Sequence, residues 1–275
     1  MSTVMETSAR VESPRRTTPA AAGFSHTLRA EWIKLWSVRS TSWTLLALMV
    51  LGVGLTALVC ATSADWLASV EADESPTSFV TWGMMIAQLT AVVLGVLVVS
   101  SEYSSAMIRT TVAATPRRGR VLVAKAVVVT ATLFVAGIVT AVLGYFAGNA
   151  FLDAAGVGVP LDADGVLRAL VGNGLYLAVL GLFSVALAVL IRHTAGAISV
   201  GLALIFVLGN LVIVIPGTIG DWLEKLMPGN AGSAISTVQA FNPDLLGPWT
   251  GFGVFVAETL VLLGLAWVAF VRRDV

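Results

Sequence analysis

Residues 102–120 read EYSSAMIRTTVAATPRRGR, with one carboxylate, four arginines and a proline. On both sides the sequence is apolar for twenty residues or more. The chain has 275 residues, of which 57% are hydrophobic and 12% charged, against about 25% charged in an ordinary soluble domain. A soluble core of this size cannot hide that much apolar surface, so the sequence predicts a membrane-embedded protein. Crossing the hydrocarbon core takes about 20 apolar residues as a helix. Six segments qualify, at 43–61, 79–99, 121–147, 170–191, 195–215 and 252–271. The third is long enough to need tilt or an extension beyond the bilayer. Dense Leu, Val, Ala and Gly without alternating polarity favour helices over a barrel.

The arginines of the opening stretch belong to a bias that runs along the whole chain. Arg10, Arg15, Arg16, Arg29, Lys34 and Arg39 precede span 1. Arg109, Arg117, Arg118, Arg120 and Lys125 lie between spans 2 and 3 or just inside span 3. Arg192 follows span 4, and Arg272 and Arg273 close the chain. These are fourteen of the sixteen lysines and arginines; only Arg168 and Lys225 fall in the alternate loops, which are acidic instead. The positive-inside rule then predicts that both termini are cytoplasmic. Residues 1–23, rich in Ser, Thr, Pro, Ala and Arg, read as a disordered cytoplasmic tail, with the membrane domain over 24–275. The first apolar run starts only at Trp43, which predicts no cleaved signal. Trp43, Trp66, Trp82, Trp249 and Trp267 fall near span ends, as an aromatic belt requires. The single cysteine, Cys60, excludes an intrachain disulfide.

The approach to span 1, FSHTLRAEWIKLWSVRS, places Phe24, Leu28, Trp32, Leu35 and Trp36 on one helical face, a stripe that Glu31 and Ile33 interrupt. It reads as an interfacial helix whose Lys34 and Arg39 reach lipid phosphates. In the opening stretch, residues 102–114 contain neither glycine nor proline and can form about three helical turns. Glu102 would stand in the first turn, where a carboxylate suits the helix dipole. Thr115-Pro116 ends it, because the residue before proline is pushed out of the helical region. Topology alone accounts for the arginines. It does not account for a helix-forming insertion ahead of them, since spans 4 and 5 are joined by Arg192-His193-Thr194 only.

The order EYSSAMIRTTVAATPRRGRVLVAK resembles the first cytoplasmic loop of type-2 ABC transporter permeases, the membrane-spanning exporter subunits that carry no ATPase domain of their own. The approach AEWIKLWSVRSTSW and the closing VRRDV resemble the same family. The resemblance covers nearly the whole chain in layout. It implies an all-α integral membrane protein with six transmembrane helices, both termini cytoplasmic, an N-terminal interfacial helix and a coupling helix between spans 2 and 3. That helix would rest in a cleft of a separate ABC ATPase subunit. The matching residues are Glu102, Tyr103, Met107, Arg109 and Thr110, with Pro116 and Arg117 closing the segment. Ala106 stands where the family often has glycine, which stiffens the helix. A second permease subunit, as homodimer or heterodimer, is implied too. ATP would be bound by the partner, with no cofactor in this chain.

Several residues stand apart from that layout. Polar groups inside spans need a partner or a pathway. Glu258, Gln88, Asn173 and Asn210 are therefore candidates for a translocation path, or for holding helices together. Gly144-x-x-x-Gly148 permits close helix approach, within the chain or between copies. Residues 216–248 read as a cap-like or re-entrant element or as a plain external loop, with one short helix over 221–227 and Trp222 facing lipid. The sequence holds no GxxxxGK[ST] loop to cradle nucleotide phosphates and no metal-ligand or catalytic constellation, and nothing in it suggests nucleic-acid binding. The expectation is the permease of an ATP-driven exporter in the cell membrane. A secondary transporter and a non-transporting assembly or signalling protein are the alternatives.

Overall fold

Every long apolar run in the sequence is a helix in the computed structural model, which describes residues 23–104, 118–239, 242 and 244–272. No strand occurs among them. The elements are α1 (Phe24–Ser37), α2 (Arg39–Leu67), α3 (Met84–Ser104), α4 (Arg118–Ala154), α5 (Val166–Ile191), α6 (Thr194–Val212), α7 (Thr218–Leu226), α8 (Pro228–Ser233) and α9 (Pro248–Arg272). Of these, α2, α3, α4, α5, α6 and α9 are long and apolar enough to cross a membrane, which makes the chain a multi-pass membrane protein.

The helices outrun the apolar segments that predict them, because a helix continues past the hydrocarbon wherever its polar ends can be solvated. At 1.5 Å per residue, the 37 residues of α4 extend about 55 Å, well beyond a hydrocarbon core about 30 Å thick. Two segments are exceptions: span 5, read as helix to residue 215, ends at Val212, and span 2 starts late. The sequence predicts helix from residue 79, but Pro76–Ser78 form a single 3₁₀ turn and regular helix begins only at Met84. Just before it, Gly83 lies against α2, its N–H donating to Thr56 Oγ1 at 3.0 Å. A Cβ there would stand 2.3 Å from the Gly52 carbonyl oxygen, so only glycine lets the chain approach this closely.

α5 is the axis of the bundle. It is buried over most of its length by α3, α4 and α9, whereas α2 and α9 turn most of their surface outward. Outward apolar side chains are what a lipid-facing surface requires, and Trp43, Trp66, Trp249 and Trp267 are among those exposed. The Gly144 and Gly148 pair faces α2, where Gly148 abuts Cys60 and Gly144 approaches Thr56, so this motif packs helices of the same chain. α6 is interrupted by a π-helical turn at Ala203–Val207.

Residues 228–238 are no plain loop. After α7, which is exposed and carries Trp222 outward, the chain turns inward. Pro228, Gly229, Ala231, Gly232, Ile235 and Ser236 are buried among α5, α6 and α9. The Arg168 guanidinium of α5 holds this segment, donating to the carbonyls of Ile235 at 3.2 Å and Val238 at 3.0 Å.

Candidate functional site

α1 presents to the bundle a face that the aromatic stripe does not predict. Its buried residues are Thr27, Glu31 and Leu35, spaced four apart, while Phe24, Trp32 and Trp36 are exposed. Glu31 therefore does not interrupt a protein-facing stripe; it is the centre of one. The two tryptophans pack against each other on the outer face, with ring centroids 5.8 Å apart and planes tilted by 58°.

Glu31 is one corner of a closed ring of four alternating charges. Lys125 Nζ, two turns into α4, donates to Glu31 Oε2 at 2.7 Å and to Glu102 Oε1 at 2.6 Å. Lys34 Nζ donates to Glu31 Oε1 at 3.1 Å and to Glu102 Oε1 at 2.5 Å. Lys125 adds a third bond, 3.3 Å to the Val98 carbonyl of α3. The side chains of Glu31, Glu102 and Lys125 are 6%, 3% and 3% exposed, and that of Lys34 is 30% exposed. The ring thus joins α1, α3 and α4, with no net charge. Burial opposes the Lys34 ammonium, but its hydrogen bond to Glu102 and the fields of both carboxylates outweigh that, so its pKa is raised above the ordinary lysine value. Beside the ring lies a cavity of about 60 Å³ between α1, α3 and α4.

Two sequence expectations change here. Lys34 does not reach out to lipid phosphate; both carboxylates of the ring hold it. Glu102 does not open a helix; it lies inside α3, in helix continuous from Met84, and residues 105–114 of the expected coupling helix lie outside the described residues. Glu102 Oε2 has no hydrogen-bond partner among the described residues. The next residue, Tyr103, lies under the Arg192 guanidinium at 5.5 Å, which joins the end of α3 to the turn after α5. Arg192 closes α5 in the left-handed conformation, with φ 56°. Met107, Arg109, Thr110, Pro116 and Arg117 lie outside the described residues.

The four polar candidates for a path have different hydrogen-bond partners. Gln88 and Tyr176 hydrogen-bond across α3 and α5, and Gln88 Nε2 donates to the Met85 carbonyl at 2.7 Å. Asn173 donates to the Ala169 carbonyl at 2.8 Å and to the Ser236 carbonyl at 3.0 Å, which fixes the inward segment. Asn210 is exposed and donates to the Phe206 carbonyl at 2.6 Å, within the π-helical turn. Glu258 is half-buried on α9, three residues past Phe255, and its Oε2 has no hydrogen-bond partner among the described residues. A groove of about 560 Å³ runs between α4, α5 and α9, lined by Leu122, Val127, Phe134, Val179, Leu263 and Trp267 among others. None of the four polar candidates lines it.

Among the described residues no group of His, Cys, Asp and Glu is arranged to hold a metal ion. In the charge ring each carboxylate is paired with both ammonium groups, so its chemistry is attachment. Sequence reasoning missed it because its members are far apart in the chain, 94 residues in the case of Glu31 and Lys125. The one local signal was Glu31 itself, a carboxylate in register with Thr27 and Leu35. No protein-family model matches the chain, and no curated protein matches it.

Proposed function

We propose that the chain is the membrane-spanning subunit of an ATP-driven exporter in the cell membrane, coupled to a separate ATPase subunit through the segment between α3 and α4. The observation that carries this reading is the anchoring of that segment. Glu102 and Lys125, one on each side of it, meet in a buried ring and are tied there to α1. A segment whose two ends are held together can pass the motion of a docked partner to α3 and α4 as a unit. A loop with free ends would absorb that motion. The layout of six spans and the resemblance of residues 102–125 to permease loops support the same reading. On it, the positively charged ends are cytoplasmic, α1 lies along the membrane surface with Trp32 and Trp36 in the interface, and a second permease completes the path. Met107, Arg109 and Thr110 would face the ATPase.

The test is co-purification of the full chain from its native membranes with an ATP-hydrolysing subunit, followed by ATP-dependent flux in vesicles. Arg109→Glu and Met107→Asp should each abolish association or transport. If association and transport are unchanged in both variants, the docking assignment is wrong. Flux driven by an ion gradient without any ATPase would assign a secondary transporter instead.

A further inference from the structure

The groove of about 560 Å³ between α4, α5 and α9 is apolar, with Thr130 supplying the one hydroxyl among the described residues that line it. The short side chains of Ala126, Ala131 and Ala178 leave the recess open. On α4 the lining runs from Leu122 to Phe134, about 18 Å along the helix axis. Half of a hydrocarbon core about 30 Å thick is about 15 Å, so the groove spans one leaflet. A partner's transmembrane helix would need contact across both leaflets; a single acyl chain needs one. At one end lies Trp267, 40% exposed. A Cβ on Gly119, in the first turn of α4, would stand 2.2 Å from its ring, so the start of α4 closes on the indole here. Indoles in membrane proteins sit at headgroup level, which puts this end of the groove at the membrane surface. Arg120, half-buried, stands at the same end. It shares one stripe of α4 with the lining residues Val123, Val127, Ala131 and Phe134, spaced three or four apart. Arg272, exposed, ends α9 on the same side. Neither arginine forms an ion pair with an acid among the described residues.

We propose that this groove is a binding site for an anionic phospholipid. One acyl chain lies along α4 between α5 and α9, and the headgroup phosphate is held by Arg120, with Arg272 adding positive charge. Charge decides the ligand class. An acyl chain gains little by exchanging other acyl chains for apolar side chains, so the groove by itself does not select among lipids. A guanidinium does, because it donates two parallel hydrogen bonds to a phosphate, and unpaired cations at a membrane surface attract lipids of net negative charge. A zwitterionic lipid carries its own ammonium beside the phosphate and gains less from Arg120. The site requires only that the chain crosses a membrane, so it is independent of the ATPase contact.

The experiment titrates the full chain, purified in one detergent, with phosphatidylglycerol and with phosphatidylcholine of identical acyl chains. Native mass spectrometry reads both the lipids bound and the number of chain copies. Phosphatidylglycerol should bind about fivefold more tightly, the weight of one arginine near a membrane surface. Arg120→Gln should bring the ratio of the two affinities below about twofold. Ala131→Trp and Val127→Trp, at exposed positions in the groove, should each do the same by filling the place of the chain. Val135→Trp, exposed on α4 but outside the groove, should keep the parent's ratio. The proposal is overturned if the parent binds both lipids equally, if Arg120→Gln keeps the preference, or if both groove variants keep it. A loss of preference in Val135→Trp as well would also overturn it. So would release of a second copy of the chain, instead of lipid, by the groove variants, which would make this face an interface between copies.

Discussion

Replacing Lys125 with methionine isolates the contribution of burial to the ring. The ammonium is 3% exposed and donates to Glu31, Glu102 and the Val98 carbonyl. Without it, two carboxylates that are 6% and 3% exposed share only Lys34, itself 30% exposed. Removing one partner of a buried pair costs about 3–5 kcal/mol, because the remaining charge stays desolvated. For a chain of this size each kcal/mol moves the melting temperature by about 2–4 °C. Lys125→Met should therefore lower the apparent melting temperature, followed as loss of monodisperse protein on heating in one fixed detergent, by roughly 6–20 °C. Lys34→Met removes a solvent-screened partner and should cost about 1 kcal/mol or less. Replacing Glu31, Lys34, Glu102 and Lys125 together by methionine leaves no buried charge and should recover most of the loss, since apolar replacement of an entire ion-pair cluster is often neutral. A Lys125→Met protein that melts within about 2 °C of the parent would refute this account. So would a fourfold variant less stable than the single one.

The raised pKa of Lys34 sets the sign of a pH effect. Because the folded value lies above the ordinary 10.5, the stabilisation from its ammonium is complete below that pH and is lost as pH rises through the folded value. Melting of the parent minus that of Lys34→Met should stay constant from pH 7 to about pH 10 and shrink above it; a difference that shrinks on acidification between those limits would contradict the assignment. In the inward segment, a Cβ on Gly232 would lie 2.6 Å from the rings of both Tyr176 and Phe255. Gly232→Ala should cost about 1–3 kcal/mol by overpacking. Gly253→Ala on α9, with nothing within 4 Å of the added Cβ, should be neutral or stabilising by up to about 1 kcal/mol. Equal melting temperatures for the two variants would show that residues 228–238 do not pack into the bundle.

The six long apolar helices were legible because bilayer thickness imposes a length of apolar sequence that few other environments demand. Their ends were not. Arg39, Ala154 and Pro248 lie outside the apolar windows yet inside helices, since a polar residue ends the hydrocarbon and not the helix. Residues 228–238 gave no clear reading because Gly229 and Gly232 carry no hydrophobic period. Those same glycines are what let the segment press against the Ile205 carbonyl and between two aromatic rings. The charge ring was the least legible feature. Taken singly, Lys34 and Lys125 fit the charge bias, Glu102 fits a helix start, and Glu31 looks like a flaw in an amphipathic stripe. Only their meeting in space shows that Glu31, Glu102 and Lys125 are buried and that Lys34 is held by both carboxylates.

The choice of charge over apolar packing at this junction has a physical reason on the reading that α1 lies along the membrane surface. An apolar side chain on such a helix gains little by leaving lipid for the bundle, because acyl chains solvate it equally well. Apolar contacts therefore cannot specify which face of α1 turns inward. A carboxylate can. Rotating α1 by one residue, about 100°, would carry Glu31 away from Lys125 toward lipid, where an unpaired charge is expensive. The ring thus specifies rotation and register of α1 at once, the best-attested use of buried polar groups. The same feature that makes Glu31 look misplaced in the sequence fixes α1 to α3 and α4 in one orientation.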